Sequence, residues 1–289
     1  MTSTSPQPIA RLRRRYAEAP WATLAELAAR AGYMARGAVY IAVGSIALLA
    51  AVGVAPEAQG PGGALEAWSR WPAGLVLIWA VGLGLYGFAS WRGLQAVFDA
   101  DRVGERPTAL FGRVGQGISG LVYLGLAIGT FGVLDVFDDF NEAEDRDEVR
   151  AAVEMVLGLP FGDLMVIAAG LFIAGVGLAN MIRAGLGHFG RTLKVDARTA
   201  RWAGTLARIG YFGRGLAFLP AGLYTAAAGL HARAADARGL GGALEEVKAQ
   251  SGGGIILSLL ALGLVAFGLF ALMEAWFRPI RTAAVAAGD

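Results

Sequence analysis

Gly115, Gly117 and Gly120, in the segment RVGQGISGLVY, stand in the spacing G-x-G-x-x-G. In a βαβ unit that spacing cradles a pyrophosphate, but only where a strand precedes the first glycine and a helix opens after it. Five arginines, Arg30, Arg36, Arg113, Arg208 and Arg214, recur at similar places along the chain. Guanidinium groups there could hold lipid headgroups or another anion through charge-assisted hydrogen bonds, or could simply anchor helix ends at a membrane surface. The run DVFDDFNEAEDRDE at 135–148 is rich in oxygen ligands but lacks the glycine and spacing of an EF-hand loop. It reads as a solvated outer loop or a partner-facing patch. Asn180 and Glu274 lie at the ends of long apolar stretches, and Glu274 can pair with Arg278 one helical turn on. His188 and His231 are the two histidines, there is no cysteine, and H-E-x-x-H, G-x-S-x-G and Walker sequences are absent. No metal site, no cofactor and no enzymatic activity are expected.

The elements that position these residues follow from hydropathy. The chain has 289 residues, 56% hydrophobic and 17% charged, with 43 glycines; its mean hydropathy is +0.53. Six blocks contain no Asp, Glu, Lys or Arg: Gly37–Pro56, Trp71–Trp91, Val114–Leu134, Leu164–Ile182, Gly215–Ala232 and Ala249–Met273. They are 18 to 25 residues long; about 20 helical residues cross a hydrocarbon core. They do not alternate apolar and polar as barrel strands do. The expected fold class is an all-α integral membrane protein with six transmembrane helices.

An even number of spans puts both termini on one side. Lys and Arg number 19 on that side and 6 on the other. Cytoplasmic segments retain such charge, so both termini are expected in the cytoplasm and the chain in the cell's inner (plasma) membrane. The net charge of +2 therefore reflects topology, and neither nucleic acid nor nucleotide is expected as a partner. RLRRR at 11–15 and the helical spacing of Trp21, Leu24, Leu27, Ala28 and Ala31 suggest an amphipathic helix on the inner leaflet, with membrane lipids as partners.

The chain repeats itself three times. RAGYMARGAVY (30–40), RVGQGISGLVY (113–123) and RIGYFGRGLAF (208–218) share Arg30/Arg113/Arg208, Gly32/Gly115/Gly210, Gly37/Gly120/Gly215 and Tyr40/Tyr123/Phe218. Gly44, Ala127 and Gly222 follow on the same face. A second segment repeats as GLGLYG (82–87), GLFIAG (170–175) and GLVAFG (263–268), and GGALE occurs at 62–66 and 241–245. Three tandem helical hairpins in one orientation predict a pseudo-threefold bundle. The stripes Gly37/Gly44, Gly120/Ala127 and Gly215/Gly222, and the G-x-x-x-G pair Gly125/Gly129, are expected to be helix-packing surfaces, since small residues let helices approach closely in lipid. GQGISG then opens a membrane helix, and its sisters GYMARG and GYFGRG lack the middle glycine of the nucleotide motif.

This triplicate register resembles the bacterial domain of unknown function 1206 family, whose members carry three tandem two-helix transmembrane units opening on an R-x-G-like segment. The resemblance covers the chain from about Arg30 to Arg278 and departs from it where Ser119 stands in the place of Arg36 and Arg214. It implies a bacterial inner-membrane protein and no particular activity. The expected organisation is a cytoplasmic N-terminal segment with the interfacial helix (1–29), repeat 1 (30–112), repeat 2 with the acidic outer loop (113–207), repeat 3 (208–280) and a cytoplasmic tail (281–289). The expected function is that of a non-enzymatic scaffold or a lipid- and partner-interacting protein. The alternative is a small channel or transporter with its pathway along the pseudo-threefold axis. The P-x-[DE]-x-x-[KR] signature of mitochondrial carriers, which share the three-times-two-helix plan, is absent.

Overall fold

Long charge-free blocks satisfy their backbone groups internally by folding as helices, and helices make up the regular structure of the described residues. A computed structural model describes residues 20–69, 74–98, 107–135, 145–187, 189 and 193–279. In chain order the α-helices are α1 (Pro20–Ala51), α2 (Pro61–Ser69), α3 (Gly74–Phe98), α4 (Pro107–Asp135), α5 (Asp145–Leu157), α6 (Gly162–Leu186), α7 (Ala197–Leu230), α8 (Leu240–Ala249) and α9 (Gly253–Phe277). No strand occurs among the described residues, and Gly115, Gly117 and Gly120 all lie inside α4. The nucleotide-cradle reading of that motif has no turn to rest on.

Local chemistry sets the helix starts. Proline is the first residue of α1, α2 and α4, where its missing N–H costs nothing and its fixed φ suits the first turn. Asp196 caps α7: its carboxylate accepts from the amides of Arg198 and Thr199 at 3.0 and 3.2 Å and from the Thr199 hydroxyl at 2.6 Å. Those bonds, the hydroxyl's above all, hold the exposed carboxyl below the usual aspartate range. Gly252, at φ +75°, makes the left-handed step into α9.

Among the described residues, four helices are long and apolar enough to cross a membrane: the stretches Glu26–Ala51, Gly74–Val97, Gly162–Leu186 and Gly253–Phe277. The long helices α4 and α7 are glycine-rich and carry Arg113 and Gln116, or Arg201, Arg208 and Arg214, within their lengths. Residues 20–29 continue into α1 without a break, so this part of the N-terminal segment shares a helix with the first apolar block. RLRRR at 11–15 lies outside the described residues, as do most of the acidic segment and the tail. Its end, from Asp145, is helical in α5.

The long helices pack in the spatial order α4, α3, α1, α9, α7, α6, each against the next. The first and third hairpins close on themselves through α1 with α3 and α7 with α9, whereas α4 and α6 share no extensive contact among the described residues. The physical reason is visible at one sister position. Gly32 of α1 packs on the backbone of Phe88 in α3, and Gly210 of α7 packs on the backbone of Phe267 in α9. Their sister Gly115 has nothing within 4 Å of where a Cβ would stand. Gly175 of α6 is equally open.

The short helices α2 and α8 carry the two GGALE copies, whose Ala64, Leu65, Ala243 and Leu244 are fully buried. The segments around them are tied together. The Ala58 amide donates to Glu245 Oε2 at 2.8 Å, and Lys248 Nζ donates to the Pro56 carbonyl at 2.8 Å while pairing with Glu245 at 3.1 Å.

Candidate functional site

The repeat-start arginines are set by where helix ends fall. Arg30 donates to the carbonyls of Ala275 and Trp276 in the last turn of α9, and Arg113 donates to those of Ala96 and Val97 in the last turn of α3, at 2.9 and 2.7 Å. Each satisfies carbonyls that the helix cannot pair, with a cation at the negative end of the helix. Arg30 also pairs with Glu26 at 2.7 Å, while Arg208 is exposed. Arg30 and Arg113 thus serve separate helix ends.

The glycine stripes fix a common register for the second helices. A Cβ on Gly37 would meet the Gly268 carbonyl at 2.9 Å, one on Gly120 the Ala89 carbonyl at 3.2 Å, and one on Gly215 the Gly177 carbonyl at 2.5 Å. Gly44 and Gly222 meet the carbonyls of Ala261 and Gly170 at 2.8 and 2.6 Å. Gly125 has nothing within 4 Å, and the surroundings of Gly129 lie outside the described residues. In this register Ala261, not Gly263, stands in the place of Gly170, two residues from the alignment of the G-L-x-x-x-G segments. The Arg30 and Arg113 carbonyl contacts give the same register, Ala275 matching Ala96. Phe267 then matches Phe88 and Val176, and Glu274 matches Gln95 and Arg183.

That register places an acid, an amide and a base at one level of the three second helices, facing Arg36, Ser119 and Arg214 of the first. Arg36 is only 4% exposed and Glu274 2%. Arg36 Nη2 donates to Glu274 Oε2 at 2.7 Å, and Arg278 Nη1 donates to Oε1 at 2.8 Å. The predicted turn-spaced pair of Glu274 and Arg278 therefore forms, joined by a third group from α1. The Arg36 guanidinium lies 5.0 to 5.2 Å from the ring centroids of Tyr33, Phe88 and Phe267, within cation–π range. These rings meet others edge to face: Tyr33 with Phe88 at 5.3 Å, Phe88 with Tyr123 at 4.7 Å, and Tyr40 with Phe267 at 4.8 Å.

Arg214 finds no carboxylate at its level, since the matching residue of α6 is Arg183. It donates from Nε to the Tyr40 hydroxyl at 2.8 Å and lies over Phe218, Phe267 and Tyr40 at 4.6, 5.0 and 5.3 Å. Arg183 stacks on Tyr211 at 4.8 Å. Arg92 lies over Phe88 at 5.1 Å and donates to Gln95 Oε1 at 3.2 Å. Of the sequence candidates, Arg36 and Glu274 come together and Arg214 joins them through Tyr40. Asn180 turns back to the Val176 carbonyl of its own helix at 2.8 Å. Thr130, Thr225 and Ser258 likewise bond the carbonyl one turn before them. Tyr33, Arg92, Gln95 and Arg183 were not candidates; the register that aligns Glu274 with Gln95 and Arg183 is the signal that finds the last two.

Comparison with known proteins agrees with this triplicate build. The family model described as Domain of Unknown Function (DUF1206) matches at residues 31–99, 114–187 and 209–278, once per repeat. The uncharacterized protein YxxB of Bacillus subtilis (strain 168) is 31% identical over 252 residues, covering 86% of this chain and 90% of that protein. No solved structure matches. Three matches in tandem across the chain, each opening beside an arginine that starts a repeat, place this protein in the DUF1206 family.

Proposed function

We propose that the protein is a non-enzymatic membrane scaffold whose interior is closed by the arginine and aromatic cluster. The observation that carries this reading is the packing of Arg36 among Tyr33, Phe88 and Phe267, with Glu274 bonded to it. A pathway along the bundle axis needs water-filled space at every level. Rings in edge-to-face contact around a buried ion pair leave their level to side chains.

The scaffold is built in our reading from six spans, with α4 and α7 completing the four more apolar helices. The arrangement is pseudo-threefold, supported by the shared glycine and carbonyl contacts of α1 on α9, α4 on α3 and α7 on α6. Both termini face the cytoplasm across the cell's inner membrane, as the 19 to 6 division of basic residues favours. Lipids line the flanks, and the acidic segment at 135–148 faces a protein partner outside.

Reconstitution into liposomes loaded with a pH-sensitive or chloride-sensitive dye tests the reading. Flux should equal that of empty vesicles under an imposed gradient. A saturable flux that grows with the protein-to-lipid ratio overturns the scaffold in favour of a channel or transporter.

A further inference from the structure

We propose that Ile118 and Phe172 form a steric wedge that holds the second hairpin apart, and that the closed arrangement of the other two hairpins is the state the second one reaches when the wedge is removed. The corrected register allows the three seams to be compared position by position. Where α1 meets α3, the pair at the seam is Ala35 and Gly84, and a Cβ on Gly84 would stand 2.7 Å from that of Ala35. Where α7 meets α9, the sister pair is Gly213 and Gly263, and a Cβ on Gly213 would stand 2.6 Å from the Gly263 Cα. Both hairpins thus bring their backbones close at this level. In the second hairpin the same two positions are Ile118 on α4 and Phe172 on α6.

The distance between packed helices depends on the side chains at the contact, and small residues set the closest approach in lipid. A branched aliphatic chain and a phenyl ring cannot share the space that Gly213 and Gly263 leave between their helices. The departure is confined to this seam. On their other flanks α4 and α6 keep the sister contacts, Gly120 against the Ala89 carbonyl of α3 and Gly215 of α7 against the Gly177 carbonyl. Facing the closed seams, Gly87 of α3 and Ala266 of α9 are buried, Gly87 against the Ala28 carbonyl of α1. Their sister Gly175 is exposed, and neither it nor Gly115 has anything within 4 Å of where a Cβ would stand. Glycines suited to a close joint therefore stand on both sides of a pair that is too large for one.

Among the long helices of the described residues, α6 packs extensively on α7 alone. It is held along one flank, and two side chains decide whether the other flank closes. This inference goes beyond the scaffold reading and does not depend on it.

The experiment measures distances by pulsed electron double resonance between nitroxide labels on introduced cysteines, in the full chain reconstituted into liposomes and diluted with unlabelled chain. The natural sequence has no cysteine to compete for the label. Ile128→Cys with Leu171→Cys reports on the second hairpin, and Ser45→Cys with Leu83→Cys, at the sister positions, reports on the first. All four positions are exposed and lie outside the seams. With the wedge intact, the second pair should be farther apart than the first, a comparison that needs no change at Ile118 or Phe172. Ile118→Ala/Phe172→Gly, which rebuilds the Ala35 and Gly84 pair, should bring the second pair to the distance of the first. Phe172→Ala alone should shorten it in part. A second pair already at the distance of the first with the wedge intact, or one that stays apart in both variants, overturns the proposal. Neither result bears on the flux experiment that tests the scaffold.

Discussion

Alanine placed at the sister glycines Gly32, Gly115 and Gly210 should have opposite effects on stability, although the three share one position in the repeat. A Cβ at Gly210 would stand 2.5 Å from the Cα and N of Phe267, and one at Gly32 would stand 2.7 Å from the Cα of Phe88. Both obstacles are backbone, so two helices must separate by about an ångström to restore ordinary contact. Such overpacking costs about 1–3 kcal/mol, and rigid backbone places these sites toward the upper end. Replacing a mid-helix glycine by alanine returns about 1 kcal/mol through helix propensity. Gly32→Ala and Gly210→Ala should therefore each lose about 1–2 kcal/mol. Gly115→Ala meets nothing within 4 Å and should gain up to about 1 kcal/mol. The propensity contribution is common to all three, so the difference between sisters isolates the packing cost at about 2–3 kcal/mol. Titration with sodium dodecyl sulfate in mixed micelles, following helical circular dichroism, measures it. Equal losses at all three positions would mean that α6 packs on α4 as α3 packs on α1, and would refute the open second hairpin.

Two further outcomes test the cluster and the orientation. Glu274→Gln leaves Arg36 and Arg278 without their shared carboxylate and should cost about 3–5 kcal/mol in the same titration, while the double variant Arg36→Met/Glu274→Met should recover most of it; a single variant within about 1 kcal/mol of the unaltered protein refutes a buried pair. The chain is free of cysteine, so introduced thiols report position without background. In intact cells a membrane-impermeant maleimide should label Ser251→Cys and reach Thr205→Cys only after lysis, and the reverse pattern would invert the proposed topology.

The sequence made the long helices legible because membrane-buried backbone demands unbroken apolar runs, and the blocks from Trp71 and Leu164 fall within or beside α3 and α6. It hid what lies just beyond them. The blocks end at Trp91 and Ile182, so Arg92 and Arg183 counted as loop charges, yet α3 runs on to Phe98 and α6 to Leu186. The glycine pattern also misaligned the third copy by two residues. What the contact requires is a small side chain beside an exposed carbonyl, and Ala261 meets that need as well as glycine does. With the register corrected, Glu274, Gln95 and Arg183 become one position, which identity of letters could not reveal. The aromatic packing depends on which way each ring turns from its helix, and periodicity alone does not encode that in helices that are apolar on most faces. The short helices α2, α5 and α8 escaped notice because none is long enough to leave a block.

Arg30 reaches the last turn of α9 as Arg113 reaches the last turn of α3. The first joint connects the two extremes of the described chain and the second connects consecutive repeats, yet they are built alike. Covalent order and spatial order are therefore uncoupled at these joints. A gene rearranged to encode the second repeat, then the third, then the first would keep every one of these non-covalent joints, at the expense of one linker between α3 and α4 and one new linker between α9 and α1. Duplication of a single hairpin could have produced such joints in any rotational phase.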